Sequence, residues 1–275
     1  ALARRDDIDA VLVLSSDWFG HLPILACCDA GKAIYCADAI RLDLQQAQRI
    51  KRRVEEAGIA FVPELPNRLC PATLRLKELI ATHLGQPNLL FCHRRQSVAA
   101  AETGASVWGQ RDLFEMVDWC QYVVDQPTTS VLGIAHQTAE NSHTHDYVMM
   151  SLRFDVAAAQ RPPVVAQISC GRYVPANWKE AITFRPPAEL QVSCERGLAF
   201  IDLPTTLIWF DDAGRHMESL ESDRPVGEQM LLSFYRAATS LVRDMSGLED
   251  AYRALRIVTR AKKSYEQGNR VSIAD

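Results

Sequence analysis

The feature that most constrains the fold lies in the first 36 residues, where two apolar runs flank one helical segment. Residues 10–14 and 32–36 form runs of strand length without polar alternation, which is typical of strands covered on both faces. Between them, residues 21–30 are predicted as a helix that ends at Gly31, a residue suited to a left-handed helix cap. Strand, helix and strand in this order predict a βαβ unit with a parallel sheet and a right-handed crossover.

A second helix and strand follow directly. Apolar residues recur at helical spacing between residues 44 and 57, and Gly58 comes after the last of them. Residues 59–62 form the next apolar run, and Pro63 and Pro66 interrupt the chain after it. We therefore predict a partial Rossmann domain, of the kind that binds dinucleotides, over residues 1–65.

From about residue 88 onward the chain contains short apolar runs joined by polar turns. The predicted strands are 89–92, 129–134, 147–154, 164–168, 190–194 and 207–210, with a hairpin turn at 211–214. Helices are predicted at 111–124, 225–242 and 248–267, the second with Leu231, Phe234, Ala238 and Leu241 on one apolar face. Residues 66–275 are thus predicted to form a mixed, largely antiparallel α/β domain, and the fold class of the chain is α/β.

Charge and composition exclude several classes of function. The 275 residues include 30 Lys and Arg against 34 Asp and Glu, which gives a net charge of −4. This balance provides no electrostatic drive toward nucleic acid or an anionic membrane surface. The apolar runs are also much shorter than the ~20 residues of a membrane-spanning helix. We expect no nucleic-acid partner and no membrane partner.

The eight cysteines are scattered, and no CxxC pair occurs. Several lie in apolar runs, where a reduced cysteine acts as a small hydrophobic residue. This usage argues against a disulfide framework or a zinc knuckle and predicts a cytoplasmic location.

Short motifs distributed along the chain resemble a known family. The first unit contains Asp9-Ala-Val, Ser15-Ser16, His21, Ala30-Gly31-Lys32 and Tyr35-Cys36, and further motifs follow at Asn67-Arg68-Leu69-Cys70-Pro71, at Trp209-Phe-Asp-Asp and from Leu248 to Val271. In order and spacing these resemble the glucose–fructose oxidoreductase / inositol dehydrogenase / rhizopine-catabolism (Gfo/Idh/MocA) family over nearly the whole chain.

The resemblance implies a two-domain oxidoreductase that uses a nicotinamide cofactor. A Rossmann domain would hold NAD or NADP, and a mixed α/β domain would present its sheet to a sugar or polyol-like substrate and to a neighbouring subunit. We therefore expect a homo-oligomer, because the predicted helices are sufficient to cover only one face of the second sheet.

The phosphate-binding turn of such a domain is not found in these residues. Dinucleotide folds need a Gly-rich turn at a helix N-terminus, and no GxGxxG occurs in the chain. The sequence opens on what resembles an uncapped helical tail, so we expect the natural polypeptide to extend upstream and to carry this turn. The alternative is a domain that lacks the turn.

The resemblance also assigns the catalytic positions, and each is substituted. The family's Glu-Lys-Pro aligns with Ala37-Asp38-Ala39, so Asp38 replaces the lysine. The helix motif Asp-x-x-x-His aligns with Arg111 and Glu115, which replace the acid and the histidine. Three interpretations remain: lost dehydrogenase chemistry, a reassigned site with Asp38 and Glu115 as carboxylates and Arg111 as cation, or a one-residue shift that places Asp112 at the acid position.

Other polar residues complete the set of site predictions. Ser15, Ser16, His21 and Ala37 are expected to contact the cofactor, because ligands bind at the carboxyl ends of parallel strands. Arg68, His143 and His145 are expected to contact the substrate, the first through the family resemblance. His143 and His145 would share a face of a strand, so a metal site is an alternative interpretation. Three ligands from nearly consecutive positions rarely converge on one ion, however, and we predict no metal. Arg94-Arg95 is interpreted as a charged pair at a strand end, with an anion-binding role as the alternative.

The function predicted from these residues is that of an NAD(P)-dependent oxidoreductase relative acting on a sugar or polyol-like substrate. The substitutions at Asp38, Arg111 and Glu115 put its catalytic competence in doubt. The alternative is a non-catalytic protein that binds a ligand or a partner on the same scaffold, and a lyase- or hydrolase-like activity is a third, weaker option.

Overall fold

The computed structural model describes residues 2–15, 19–37, 43–98, 111–137, 145–155, 161–175, 177–178, 180, 189–221, 224–242 and 246–273. The chain forms two compact units. The first combines residues 1–69 with 223–256, and the second combines residues 70–222 with 257–275.

The first unit contains a parallel sheet of three strands, as the βαβ pattern predicted. Strands β1 (Ala10–Val13), β2 (Ala33–Cys36) and β3 (Phe61–Pro63) lie side by side in that order, and the helices α1 (Leu22–Asp29) and α2 (Leu44–Ala57) connect them. Ile34 is central to the packing because it is fully buried and belongs to the cluster that α1 and α2 form against the sheet.

Helix α2 shows how local sequence sets the element bounds. The backbone N–H of Gln46 donates to Oδ1 of Asp43 at 2.8 Å, which caps the N-terminus. The helix ends at Gly58, whose φ of 59° is a left-handed conformation that costs glycine little. Ile50 and Val54 face the core at one-turn spacing, and the predicted helix is confirmed.

The structure corrects two predictions about helix α6. It spans Val226–Thr239 and belongs to the first unit, although a single boundary near residue 65 had placed it in the second domain. Its buried residues are Met230 and Phe234, and the Phe234 ring packs edge-to-face against Tyr35 at 5.7 Å. The predicted apolar face is confirmed at Phe234 and Ala238, which lie in one packed cluster, but is wrong at Leu231, which is 48% exposed, and at Leu241, which lies beyond the helix end and is fully exposed.

The second unit is organised around a sheet of nine strands. Their bounds are Pro87–Val98 (β4), Thr128–His136 (β5), Tyr147–Phe154 (β6), Val164–Pro175 (β7), Leu190–Cys194 (β8), Gly197–Asp202 (β9), Thr206–Asp211 (β10), Gly214–Ser219 (β11) and Val271–Ser272 (β12). The order across the sheet is β11-β10-β9-β8-β4-β7-β6-β5-β12. Strands β4 and β7 pair in parallel, and every other pairing among the described strands is antiparallel. The predicted mixed, largely antiparallel sheet is confirmed.

Helices cover one face of this sheet. The covering helices are α4 (Pro71–Leu79), α5 (Arg111–Val124) and the part of α7 (Ser246–Gln267) that follows residue 256, where Ser264 Oγ accepts from the Gly133 N–H on β5, whereas α3 (Pro66–Leu69) belongs to the first unit. Helix α5 packs on β4 and β7, and α4 packs on β9 and β10. The opposite face exposes Phe91, Ile134 and Phe210 by 39%, 43% and 38%, and we call it the uncovered face. No described helix is long and apolar enough to cross a membrane.

The predicted hairpin at residues 211–214 joins β10 to β11, with Asp211 opposite Gly214. One ion pair ties this hairpin to α4. Arg75 donates from Nε and Nη2 to the two carboxylate oxygens of Glu218 at 2.8 and 3.1 Å, and Trp209 Nε1 donates to Glu218 Oε1 at 3.2 Å. These hydrogen bonds lower the pKa of Glu218 below its usual 4.5, and the bond with Arg75 has the largest effect.

This pair should make the stability of the protein depend on acid pH. A lowered carboxyl pKa contributes stability above about pH 4.5, and the contribution disappears as the pH falls through the lowered value. Arg75→Gln should reduce the free energy of unfolding by about 1 kcal/mol at pH 7 and by less near pH 3. Urea unfolding at both pH values measures this, with the exposed Arg215→Gln on the same hairpin as control. Equal losses at pH 7 and pH 3 would contradict it.

Candidate functional site

A group of polar side chains lies on the helix-covered face of the second sheet, where β4 and β7 run in parallel. Arg94 and Gln96 project from β4, Arg172 projects from β7 directly opposite Gln96, and Asp112 and Glu115 come from the first turns of α5. We call these five residues the Arg94 cluster. The parallel pairing brings the β4 and β7 members together, and the packing of α5 on both strands adds the carboxylates.

Asp112 is held at both of its carboxylate oxygens. Arg94 Nη1 forms an ion pair with Oδ1, and the amide nitrogen of Gln96 donates to Oδ2. The amide oxygen of Gln96 accepts from Arg172 Nε at 2.8 Å, so the orientation of this amide is fixed from both ends. A chain of hydrogen bonds therefore connects β7, β4 and α5.

Glu115 lies between two guanidinium groups. Arg111 Nε donates to its Oε1 at 2.6 Å, and Arg94 Nη1 lies 3.9 Å from its Oε2. The Glu115 side chain is only 12% exposed. Arg94 Nε also lies 3.5 Å from Glu189 Oε2. Burial is the largest single effect and lowers the pKa of Arg94, but the hydrogen bond to Asp112 and the charges of the surrounding carboxylates together outweigh it and raise this pKa.

The charges in and around the cluster balance, since three guanidinium groups face three carboxylates. Both carboxylates of the cluster already accept hydrogen bonds from guanidinium or amide N–H groups. Their oxygens and the guanidinium N–H groups can still accept from and donate to the hydroxyls of a ligand. The described residues of the cluster thus suit the binding of hydroxyl groups better than the transfer of their protons.

Neither of two nearby nucleophilic side chains supplies a base here. Cys170 lies on β7 opposite Arg94, and burial raises the pKa of its thiol to about 12. His93 points to the uncovered face, because it neighbours Arg94 on β4. Its Nδ1 lies 2.7 Å from Ser169 Oγ, and burial, with a smaller effect of Arg95, lowers its pKa.

The known proteins to which the chain is similar are oxidoreductases. Inositol 2-dehydrogenase of Mycolicibacterium smegmatis is 27% identical to it over 127 residues, which is 46% of this chain and 37% of that relative. The chain is a relative of the Gfo/Idh/MocA oxidoreductases. This confirms the resemblance seen in the sequence, although no protein-family model matches the chain.

Solved structures of oxidoreductases share the fold of this Gfo/Idh/MocA relative. An aldose–aldose oxidoreductase of Caulobacter crescentus, complexed with glycerol, superposes with a TM-score of 0.82 at 13% identity over 98% of this chain and 81% of that chain. An Agrobacterium radiobacter oxidoreductase in complex with NAD⁺, L-tartaric acid and magnesium gives 0.78 at 12% identity over 97% and 80%. At these identities the likeness shows the fold, and the predicted α/β class is confirmed.

Two of the residues that the family resemblance aligns with catalytic positions lie in the Arg94 cluster or against it. Glu115 is a member, and Arg111 binds it from one turn earlier on α5. Sequence reasoning had interpreted Arg94 as a strand-end charge and had not considered Gln96 or Arg172. Strand alternation carried the missing signal, since Leu90 and Cys92 are apolar and every second residue, including Arg94, shares their inward face.

The predicted cofactor residues that the structure describes lie in the first unit. Ser15 follows the carboxyl end of β1, and Ala37 follows that of β2, with the Ala37 N–H donating to Val13 O at 2.9 Å. His21 immediately precedes α1 and makes no side-chain capping bond. Ser16 lies outside the described residues, as do the catalytic candidate Asp38 and the substrate candidate His143.

The two described substrate candidates each have a partner within their own unit. Arg68 Nη1 donates to Asp250 Oδ2 at 2.8 Å in the first unit. His145 Nε2 lies 2.9 Å from the hydroxyl of Tyr265 on α7, with the two rings edge-to-face at 4.9 Å. Neither residue is a member of the Arg94 cluster, and their roles toward substrate stay predictions.

Proposed function

We propose that this protein is an NAD(P)-dependent oxidoreductase relative that binds a sugar or polyol-like substrate at the Arg94 cluster. The observation that carries the proposal is the position of the cluster, because it contains Glu115 and lies against Arg111, the two α5 residues that the family resemblance aligns with catalytic positions and that form a hydrogen bond with each other. The relationship to inositol 2-dehydrogenase supports a polyhydroxylated substrate. The balanced charges of the cluster favour a neutral one.

The residues of the first unit fit part of a dinucleotide. Its parallel strands present Ser15 and Ala37 at their carboxyl ends, the edge at which open α/β sheets bind ligands. These 275 residues contain no GxGxxG, so this chain contributes no such cradle for the pyrophosphate. We infer that Ser15, Ser16, His21 and Ala37 would contact the cofactor. A bound nicotinamide would exchange a hydride with the substrate.

The cluster residues then have separable roles. Arg94, Gln96 and Arg172 would bind and orient substrate hydroxyls, since each carries N–H groups on one face of the sheet. Arg111 would hold Glu115 in place through their 2.6 Å hydrogen bond. The five residues of the cluster include no imidazole that could accept a hydroxyl proton, which predicts slow turnover.

The lack of a proton-accepting imidazole in the cluster favours a second candidate function, in which the same scaffold binds a hydroxylated ligand without catalysis. The specific observation is the 2.6 Å hydrogen bond from Arg111 to Glu115. It pairs a guanidinium group with the carboxylate that the resemblance aligns with the family's histidine. Such a protein would keep its affinity for ligand and cofactor and lose turnover.

One experiment separates these functions. Cofactor binding is measured from the fluorescence of NADH and NADPH, and turnover is followed at the nicotinamide absorbance across a panel of inositols, aldoses and glycerol. Cofactor binding with measurable turnover supports the oxidoreductase. Binding of cofactor and polyol without turnover supports the second candidate. Failure to bind either cofactor, in protein that is folded and of natural length, would refute both forms of the proposal.

We also propose that the protein is cytoplasmic. The eight cysteines are all free and buried, so none depends on an oxidising compartment.

Assembly through the uncovered face is a further part of the proposal. Cross-strand register places Phe91 and Phe210 on this face, and an apolar sheet face is stabilised by covering it. We expect a homo-oligomer whose association is weakened on the order of 10-fold or more by Phe210→Glu. Light scattering at micromolar concentration measures the mass, with Leu241→Glu, an exposed residue off the sheet, as matched control. A monomeric wild-type protein would count against this assembly.

A further inference from the structure

Two buried thiols contact each other between β4 and α5, the same two elements that carry most of the Arg94 cluster. Cys92 on β4 and Cys120 on α5 bring their sulfur atoms to 3.4 Å, and the residues are 2% and 0% exposed. Cys92 precedes Arg94 by two residues and so shares its face of the strand. Cys120 lies on the same helix as Asp112 and Glu115. The pair therefore spans the same strand–helix contact that builds the cluster.

The separation is close to that needed for a covalent link. A disulfide bond is about 2.05 Å long, so the sulfur atoms must approach by roughly 1.4 Å to form one. The thiols lie on two different elements, with the whole β4–α5 connection between them in sequence. A bond here would fix α5 to β4.

We propose that Cys92 and Cys120 form a latent disulfide, which hydrogen peroxide closes and a dithiol reopens. One sulfur, as thiolate, attacks a peroxide oxygen, which breaks the O–O bond and, with proton uptake, releases one water, leaving a sulfenic acid. The second sulfur attacks the sulfenic sulfur and releases the second water. Overall, two thiols lose two electrons and two protons, and one peroxide is reduced to two waters.

Burial sets the conditions under which this reaction occurs. It raises the pKa of the Cys120 thiol well above the usual value, and the contact with Cys92 raises it further. Thiolate and peroxide must therefore meet during local opening of α5, so the rate of disulfide formation should follow the population of that opening. Once closed, the bond opposes such opening and holds Asp112 and Glu115 against the sheet.

The test uses the whole protein treated with hydrogen peroxide, followed by non-reducing peptide mapping by mass spectrometry. The expected product is a cross-linked pair of peptides containing Cys92 and Cys120, about 2 Da lighter than their sum, which dithiothreitol removes. The melting temperature should rise by about 4 °C or more in the oxidised protein. Cys92→Ser and Cys120→Ser should abolish both changes, whereas Cys194→Ser, at another buried thiol, should keep them.

A second variant tests the role of opening. Asp112→Asn weakens the attachment of the α5 N-terminus to Arg94 and should speed cross-linking on the order of 10-fold at equal peroxide. The proposal is overturned if peroxide drives Cys92 or Cys120 to sulfinic acid without cross-linking. It is equally overturned if no Cys92–Cys120 cross-link forms even in mild urea that opens the helix, or if the link forms at the same rate in Asp112→Asn as in the wild type.

Discussion

The natural full-length protein is expected to oxidise common sugars and inositols slowly or not at all. A dehydrogenase needs a cation near the reacting oxygen and a group that accepts its proton, and here Asp38 and Glu115 stand where the family resemblance places lysine and histidine. Loss of a preorganised stabiliser typically costs on the order of 10²–10³ in rate, and loss of the proton relay a further factor of about 10²–10⁴. The assay is the change in nicotinamide absorbance across a polyol panel.

Variants sharpen this first prediction. Asp38→Lys alone should not restore turnover, because the position aligned with the histidine still holds a carboxylate, Glu115, that is hydrogen-bonded to Arg111. Asp38→Lys combined with Glu115→His restores both groups and should raise the rate above that of either single variant. Robust wild-type turnover that Asp38→Ala leaves unchanged would mean that the catalytic residues lie elsewhere. Turnover abolished by Asp38→Ala would instead favour a repurposed carboxylate site.

The second large effect is expected in the core of the second unit. Trp119 on α5 is completely buried, and its Nε1 donates to Thr73 Oγ1 on α4 at 3.0 Å. Trp119→Ala removes the ring and leaves the buried Thr73 hydroxyl without this partner, so the free energy of unfolding should fall by about 3–5 kcal/mol. Urea unfolding measures the loss.

Trp178 provides the matched control, because it is the same residue type and is 61% exposed. Trp178→Ala should change the free energy of unfolding by no more than about 0.5 kcal/mol. Trp119→Phe keeps an aromatic ring and should lose less than the alanine variant. Similar values for Trp119→Ala and Trp178→Ala would mean that Trp119 is not a core residue.

Much of the fold was predictable because local patterns agreed with the packing. The spacing of Ile50 and Val54 fixed the face of α2, and Gly58 marked its end. Strand β9 was not predicted, since only Glu195 and Arg196 separate it from β8 and such a short turn leaves little polar signal. The return of α6 to the first unit was also not predicted, because it depends on contacts such as Phe234 with Tyr35, which are far apart in sequence.

The candidate site, like the fold, was predictable from the sequence only in part. Arg111 and Glu115 were found because they lie one turn apart in a motif that the family resemblance aligns. Arg94, Gln96 and Arg172 join them only through the parallel pairing of β4 with β7. Sequence patterns do not specify which strands of a mixed sheet become neighbours, so this half of the cluster required the structure.

The parallel pairing of β4 with β7 also bears on the order in which the protein folds. Strands β5, β6 and β7 are neighbours both in sequence and in the sheet, so they can assemble through short-range contacts. The contact of Gln96 with Arg172 instead joins residues 76 positions apart, and the chain entropy lost in closing so long a loop slows its formation. The Arg94 cluster therefore forms late, after the antiparallel strands have provided the surface on which β4 docks. A nascent chain can complete the Arg94 cluster only once β7, and with it most of the second unit, has been synthesised.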